Sequence, residues 1–515
     1  MKQNSLRIVK NTIFLYIRMA CMMLVALYTS RVILQSLGVH DYGVYQTVGG
    51  IVGLLSFVNS ILSSGTSRFL TFEFGKGITE RLKATFSTLL SVHIGISVVF
   101  VVLAEIVGLW LIDNKLNIPV EQLLIAKIVF QFTIVTGFLS ITQVPYTAVI
   151  IAHENMKIYA YMGLLEVFLK LGIAIAIDCF AGNRLLIYAA LLCGTQVCIL
   201  SFYRIYCIRN YQESKFCRHL FDGQILREVG SFSVWSTFAG ISVALLQYGT
   251  MLLLNMFFSP ALVAARALND QVSNAVNQFV QNFRTAANPQ IVKRFAVGDY
   301  DGSRHLLLVS TRLSYCLMLM VAIPVIFLAS PLLHLWLVQV PEYLVGFVQW
   351  TMVQNLFSVF DVCFYTAIYA KGRLRENALL APAIDVVIIL AVYVLFLQGY
   401  SPMVICYVFV AMAFLEGLVE KPFILCRYVG YSLKEIWYVV LRCMWVTILS
   451  VPLPYLVCRE VDTFQPIGFT FVCLSAVVSV FIVGSFVGMT GYERLEIWGL
   501  LQNKLNKKKN NRRQL

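Results

Sequence analysis

The run ALNDQVSNAVNQFVQNFRTAANPQ, residues 267–290, sets Asp270, Asn274, Asn277, Gln278, Gln281 and Arg284 at the i, i+3 and i+4 spacings of one helical face, with Arg266 just ahead of it. A guanidinium is a planar fork of donors that keeps its charge when partly buried and grips an anion through two parallel hydrogen bonds. Carboxamides donate and accept at once, which suits hydroxyl groups. A carboxylate such as Asp270 can hold a proton or a cation, or pair with a neighbouring arginine. Val272, Val276, Phe279 and Phe283 line another face, so the segment reads as an amphipathic helix.

The elements that must position these groups follow from composition. The chain has 515 residues, 59% of them hydrophobic and only 13% charged, with a mean hydropathy of +0.78. That is too apolar for a soluble globule and indicates an all-α polytopic membrane protein, since each crossing needs roughly 20 mainly apolar residues and such stretches recur along the chain. The alternation of a membrane β-barrel is absent. About fourteen spans are expected, at 12–34, 43–65, 85–112, 123–150, 158–180, 184–207, 229–257, 261–285, 305–329, 346–369, 377–398, 402–425, 435–457 and 467–489. The first follows a short basic leader and is long enough to be a retained anchor. The thirteen cysteines contain no CxxC pair and read as small apolar residues, neither a disulfide framework nor a metal site.

Loop charges set the orientation. With the N-terminus inside, the inner segments carry Lys2, Arg7 and Lys10, then Arg68 to Lys83, Lys157, Arg204 to Arg227, Lys293 to Arg304, Lys371 to Arg375, Lys421 to Lys434, and the basic tail from Arg494 to Arg513. The outer loops hold only Lys115, Arg184 and Arg459. This is the positive-inside pattern, with both termini cytoplasmic. It also accounts for the net charge of +14, which tracks membrane sidedness and argues against a nucleic-acid partner. The tail KLNKKKNNRRQL suits anionic lipid headgroups. No loop is long enough to form a soluble catalytic head.

A helix lying flat on the membrane would show the same amphipathy as 261–285. Removing that span, however, would reverse the side of every later loop, so it is read as a true span, the eighth, with its polar face on a water-filled cavity. A self-match at a shift of 223 residues lays FEFGKGITERLKATFSTLL (72–90) on FAVGDYDGSRHLLLVSTRL (295–313), pairing Phe72 with Phe295, Gly75 with Gly298, Arg81 with Arg304 and Thr88 with Thr311. The shift covers an even number of spans, as in a parallel repeat. The expected organisation is a lobe of six helices over 1–208, a second over 209–430, two further helices over 431–490 and a cytoplasmic tail over 491–515.

Arg18, Arg31, Lys127, Lys170, Arg266, Arg284, Arg312 and Arg442 fall inside spans. A charge near a helix centre costs about 2.5–3.5 kcal/mol, so each needs a partner, a route to the interface or a watery cavity. Lys170 follows Glu166 by four residues, the favourable order for an ion pair, while Lys127, Arg312 and Arg442 lie close enough to span ends to snorkel. Arg18 and Arg31 on span 1 and Arg266 and Arg284 on span 8 are left. The two spans run in opposite senses, so Arg18 and Arg284 fall toward the inside and Arg31 and Arg266 toward the outside. Such a ladder suits an anionic, phosphate-bearing substrate crossing the membrane. Arg18 and Arg31 do not share one strict face, because thirteen residues turn a helix by about 220°.

Among the acids in spans, Asp270, Asp361 and Asp385 are candidates for coupling to H+ or Na+, with ion pairing as the other reading. There is no GxxxxGK[ST] loop, and the six histidines form no ligand motif. The residues thus assign no catalytic group, no metal and no cofactor.

The runs YIRM (16–19), LYTSRVILQSLGVHDYGVYQTVGG (27–50), SRFLTFEFGKG (67–77), VPYTAVIIAHENM (144–156), AARALNDQV (264–272) and NFRTAANPQIVKRF (282–295) resemble the lipopolysaccharide, O-antigen and capsule repeat-unit flippases of the multidrug/oligosaccharidyl-lipid/polysaccharide exporter superfamily, with a Bacteroidetes flavour. The likeness covers spans 1 to 10; the last four are similar only in hydropathy. Where relatives often carry TGK after span 10, this chain has AKGRLR at 370–375.

The resemblance implies two pseudo-symmetric six-helix lobes around a central cavity, with the two extra helices helping to house the lipid tail. It implies alternating access, and transfer of an undecaprenyl-pyrophosphate-linked oligosaccharide from the cytoplasmic to the periplasmic leaflet of the bacterial inner membrane. By that likeness Arg18, Arg31, Arg266 and Arg284 meet the pyrophosphate and the amides of Asn274, Asn277, Gln278 and Gln281 meet the glycan. Partners would be the lipid-linked substrate, membrane lipids, and a polysaccharide polymerase and glycosyltransferases, with the transporter acting as a monomer. A multidrug exporter shares the fold but should offer acids in its first-lobe cavity, where span 1 has two arginines. A polymerase or ligase should expose a large outer catalytic loop, whereas the longest outer connection, around 330–345, has one histidine and one glutamate.

Overall fold

The computed structural model describes residues 2–55, 66–67, 69–70, 73–74, 80–153, 155–180, 182–217, 220–227, 242–372 and 374–489. Within these, the side chains of 2–22, 55, 156–157, 159–160, 178, 282, 285–286, 289 and 374 are not described. The described residues are helical and contain no strand. Among the described residues seven stretches of helix are long and apolar enough to cross a membrane, including Glu80–Asn114, Tyr300–Phe327 and Pro466–Gly488. With large apolar side chains such as Val99, Ile106, Phe471 and Phe481 left on the outside, these helices make the chain an all-α, multi-pass membrane protein.

In chain order the helices used below are α1 (Lys2–Leu55), α2 (Glu80–Leu103), α3 (Val120–Ala152), α4 (Met156–Ala176), α5 (Arg184–Asn210), α6 (Thr250–Phe257), α7 (Pro260–Ala296), α8 (Tyr300–Phe327), α9 (Ala329–Trp336), α10 (Leu344–Lys371), α11 (Leu374–Leu397), α12 (Val404–Leu415), α13 (Leu433–Ser450), α14 (Pro452–Glu460) and α15 (Pro466–Val483). α1 holds the first expected span and the second as far as Leu55. It breaks at Gly38, whose φ of 78° and ψ of 166° lie outside the helical region and are open to a residue without a Cβ. Five-residue π turns interrupt or extend several helices, including Glu416–Glu420 and Leu425–Val429 after α12 and Gly484–Gly488 after α15. Such turns free backbone groups from the regular ladder and recur at functional places.

The chain gathers into two compact units. The first comprises Met1–Gln271, His334–Leu344 and Ala378–Val404, the second Val272–Leu333, Val345–Asn377 and Ile405–Leu515. These bounds are set by packing and differ from those of the lobes inferred from the repeat, 1–208 and 209–430.

The core of the first unit shows why its helices assemble. Leu82, Phe86, Leu89 and Leu90 of α2 recur at helical spacing and meet Tyr146, Val149 and Ile150 of α3 and Ile199, Tyr203 and Cys207 of α5. Between membrane helices such contacts act through close packing, since lipid is as apolar as leucine. In the second unit α8 packs along α13 and α15, with Tyr315 of α8 buried and hydrogen-bonded to Thr447 of α13 at 2.8 Å.

The two arginines paired by the repeat both sit in the first turns of their helices. Arg81 lies 3.7 Å from Glu73 in the first unit, and Arg304 lies 3.7 Å from Glu435 in the second. Phe72 and Gly75 of the repeat, the span at 229–257 over residues 228–241, and the basic tail lie outside the described residues.

Candidate functional site

The polar helix forms as expected: α7 runs unbroken from Pro260 to Ala296, although it is not one of the seven apolar spans. Its residues up to Gln271 belong to the first unit and those from Val272 to the second. Val272, Val276 and Val280 are buried while Phe279 is exposed, so the apolar face is centred one position further along than the sequence pattern placed it.

In the first unit Arg266 is 7% exposed, and its Nε lies 3.3 Å from Asp270 Oδ1, one turn along the same helix. Asn269, fully buried, donates its amide to Asp270 Oδ1 at 3.4 Å. The Asp270 carboxylate therefore has an internal cation and an amide donor, the pairing that was the other reading of this acid. One residue on, Gln271 accepts from Ser30 Oγ at 2.5 Å and donates to the Tyr42 phenol at 3.2 Å, tying α7 to both halves of α1.

Arg31, on α1, donates to the carbonyl of Leu335 at 3.1 Å, at the C-terminal end of α9, where the helix dipole favours a cation. Trp336 returns a bond from its indole to the Leu27 carbonyl at 2.8 Å. Asp385, on α11, is buried. Arg18 lies on α1, but its side chain is outside the described residues.

The second unit holds the remaining positions. Asn277 Nδ2 donates to Ser273 Oγ and to Asn355 Oδ1, each at 3.3 Å, and Asn355 donates back to Ser273 Oγ at 3.1 Å. These amides join α7 to α10. Asn274 and Gln281, seven residues apart and so on one face, are exposed, and Gln278 is half-buried between them. The inner edge of the stripe thus engages α10.

Arg284 is 5% exposed. Its Nη2 donates to the Val362 carbonyl and to Thr366 Oγ1 at 3.3 Å, and Thr366 in turn donates to Asn288 at 3.3 Å. These acceptors are neutral, so the guanidinium charge is solvated but not cancelled by them.

Asp361, the residue before Val362 on α10, accepts from Lys421 Nζ at 2.8 Å. Lys421 Nζ is also 2.8 Å from Glu420 Oε2. Both belong to the turn region after α12, where the π turn Glu416–Glu420 hands over to a short helix. Lys421 was counted among inner-loop cations; it is 2% exposed. The signal for it was its carboxylate neighbour Glu420 inside a span, but its main partner is sixty residues away. Cys363 on α10 feels both Arg284 and Asp361.

The other span cations have structural partners. Lys170 pairs with Glu166 at 2.7 Å as the spacing indicated. Lys127 takes Asp113 at 2.6 Å. Arg312 is buried and donates to the Gly488 carbonyl at 2.9 Å, at the end of the π turn after α15. Arg442 lies over the Tyr438 ring, 4.5 Å from its centroid. No cluster that could hold a metal ion is present among the described residues.

No protein-family model matches the chain, and no curated protein matches it in sequence. Solved structures do match in fold. One is a lipid II flippase, MurJ, in an inward closed conformation, with a TM-score of 0.64 at 10% identity over 92% of this chain and 98% of that one. Another is an inward-facing multidrug resistance MATE family transporter of the MOP superfamily, with a TM-score of 0.54 at 12% identity over 96% and 99%. A third is the eukaryotic MATE transporter AtDTX14, with a TM-score of 0.51 at 13% identity over 83% and 95%. The likeness is one of fold: this chain has the architecture shared by these membrane transporters over nearly its whole length.

Proposed function

We propose that this chain is a flippase that moves an undecaprenyl-pyrophosphate-linked oligosaccharide, an O-antigen or capsule or exopolysaccharide repeat unit, from the cytoplasmic to the periplasmic leaflet of a bacterial inner membrane by alternating access. It would act as a monomer with both termini cytoplasmic, be built from the two six-helix lobes and two added helices of the sequence reading, and pass its product to a polysaccharide polymerase. It carries out no bond chemistry. The observation that carries the reading is the end-to-end fold match with a lipid II flippase, taken with the sequence motifs of span 1 and α7.

Arg18, Arg31, Arg266 and Arg284 are assigned to the pyrophosphate, and Asn274, Asn277, Gln278 and Gln281 to glycan hydroxyls. The bonds that Arg31 and Arg284 make to neutral oxygens are each worth about 1.5–3 kcal/mol. A pyrophosphate oxygen pair accepts the same fork with charge on both sides, so exchange favours the substrate when it is present. Asp270, Asp361 and Asp385 are assigned to H+ or Na+ coupling. For Asp361 the coupling step would be competition of that ion with Lys421 for the carboxylate.

A second reading, a cation-coupled multidrug exporter, is favoured by the MATE fold match and by the carboxylates of Asp270 and Asp361, both partly buried, and of Glu420, buried. Purified protein in liposomes separates the two. Translocation of a fluorescent undecaprenyl-pyrophosphate oligosaccharide, scored by access of a membrane-impermeant quencher, is the result expected. Absent translocation together with ion-driven uptake of a cationic dye would establish the exporter instead.

A further inference from the structure

Within the first unit lies a cavity of about 290 Å³, built by the second half of α1, by α3 and α5, and by the π turn before α6. The described residues that line it include none of the arginines or acids discussed above. Tyr45, Phe132 and Tyr248 give it aromatic walls, and Thr133, Thr136 and Ser140 give it hydroxyls. None of the described lining residues is charged, so among them neither a phosphate nor a cation would find compensation.

The hydroxyls are sorted by their helix bonds. Thr133 and Thr136 spend their hydrogens on the carbonyls of Phe130 and Phe132, at 2.8 and 2.9 Å, so their remaining lone pairs act as acceptors. Ser140 accepts from Gln196 at 3.2 Å, which leaves its own hydrogen to donate. Tyr45 is fixed edge-on against Tyr188 at 5.0 Å between ring centroids. A charge-free site with flat aromatic faces and a mixed set of donors and acceptors matches a molecule that has C–H faces and hydroxyl edges.

From this we infer that the cavity is a sugar subsite, taking one uncharged pyranose ring of the carried glycan. Its volume falls at the lower edge of the range of about 300–1,000 Å³ usual for small-molecule sites, enough for one ring and not for a repeat unit. The inference rests on the flippase reading and adds to it a place where glycan identity is read, separate from the arginines assigned to pyrophosphate.

Gly49 supplies the test. A Cβ there meets nothing within 4 Å, and replacing a glycine inside a helix favours the helix, so Gly49→Phe is the substitution that brings a ring into the cavity from its own wall. The full chain in nanodiscs is titrated with an undecaprenyl-pyrophosphate-linked disaccharide of neutral hexoses and with bare undecaprenyl pyrophosphate. The wild type should bind the glycosylated lipid about tenfold more tightly, and Gly49→Phe should erase that difference while leaving the bare lipid's affinity as it was. Thr136→Val, which removes one acceptor at constant shape, should cost the glycosylated lipid about threefold and serves if the phenylalanine variant does not fold.

Equal affinity of the wild type for the two lipids would overturn the sugar subsite and leave the flippase reading standing. Equal weakening of both lipids by Gly49→Phe would also overturn it, making the cavity a seat for the isoprenoid chain. No binding of either lipid to the wild type would overturn the flippase reading, and the subsite with it.

Discussion

Lys421 Nζ sits 2.8 Å from Asp361 Oδ1, with 3% of the lysine side chain and 25% of the aspartate side chain exposed. Glu420 closes the group at 2.8 Å from the same nitrogen, with 4% exposed. One ammonium therefore answers two carboxylates in a low-dielectric setting, where desolvation is recovered only while the geometry holds.

Removing the ammonium takes from each carboxylate the cation that stands 2.8 Å from it. Lys421→Met is expected to destabilise the second unit by about 3–5 kcal/mol, read as a lower unfolding midpoint in detergent. Adding Asp361→Asn to it should restore much of the loss. If the double variant melts no higher than Lys421→Met alone, the two residues are not energetically paired.

Arg284 makes a comparable demand on α10. Its Nη2 serves the Val362 carbonyl and Thr366 Oγ1 together, from a planar guanidinium whose donor directions a tetrahedral ammonium does not share. Arg284→Lys should cost about 1.5–3 kcal/mol of stability and slow glycan-lipid translocation. In cells, the Arg18→Ala, Arg284→Ala double variant should still insert in the membrane while lipid-linked glycan accumulates on the cytoplasmic leaflet. Normal surface glycan in that strain would remove these two arginines from any role toward pyrophosphate.

What the sequence could and could not announce follows from range. The Glu166–Lys170 pair and the Arg266–Asp270 pair are four residues apart, so helical spacing alone brought them together. The polar stripe of α7 was legible for the same reason, while Phe279 and Val280, 100° apart on the helix, exchanged places because the pattern does not say which neighbour packs against which face. Lys421 looked like a loop cation because it stands near a span end, and only the fold delivers Asp361 to it. The bond from Arg312 to the Gly488 carbonyl could not be read in advance, since that carbonyl stands at the end of a π turn 176 residues away.

Gly417 explains how the π turn carrying Glu420 comes close to α10. A Cβ on it would stand 2.8 Å from the Phe357 carbonyl oxygen and 3.2 Å from the Asp361 backbone nitrogen, and backbone cannot move aside as a flexible side chain can. Gly417→Ala should therefore cost about 1–3 kcal/mol through overpacking, and Gly417→Val more. Unfolding midpoints across the series Gly, Ala, Val should fall in that order; a flat series would mean that the approach of the two helices is not under constraint.

His153 and Glu213 control a different place, the segment that follows α5. The imidazole Nε2 meets Glu213 Oε1 directly, and Glu213 is 2% exposed. The ring is stacked on Tyr211 at 4.0 Å and tilted against Phe74 at 4.3 Å, so it cannot swing away to release the carboxylate without losing packing on both faces. Cys217, at the end of the same segment, is tied to α2 by a bond from its amide to Ser87 Oγ at 3.2 Å. His153→Leu keeps the packing and removes the partner, leaving a buried acceptor unsatisfied at a cost of about 1–3 kcal/mol. That cost is expected to appear as local opening, with faster amide hydrogen exchange over residues 211–217 and little change at the cores of α3 and α5. Adding Glu213→Leu removes the acceptor as well and should slow exchange again. Unchanged exchange in His153→Leu would show that the Ser87 bond and the ring contacts of Tyr211 hold the segment without the pair.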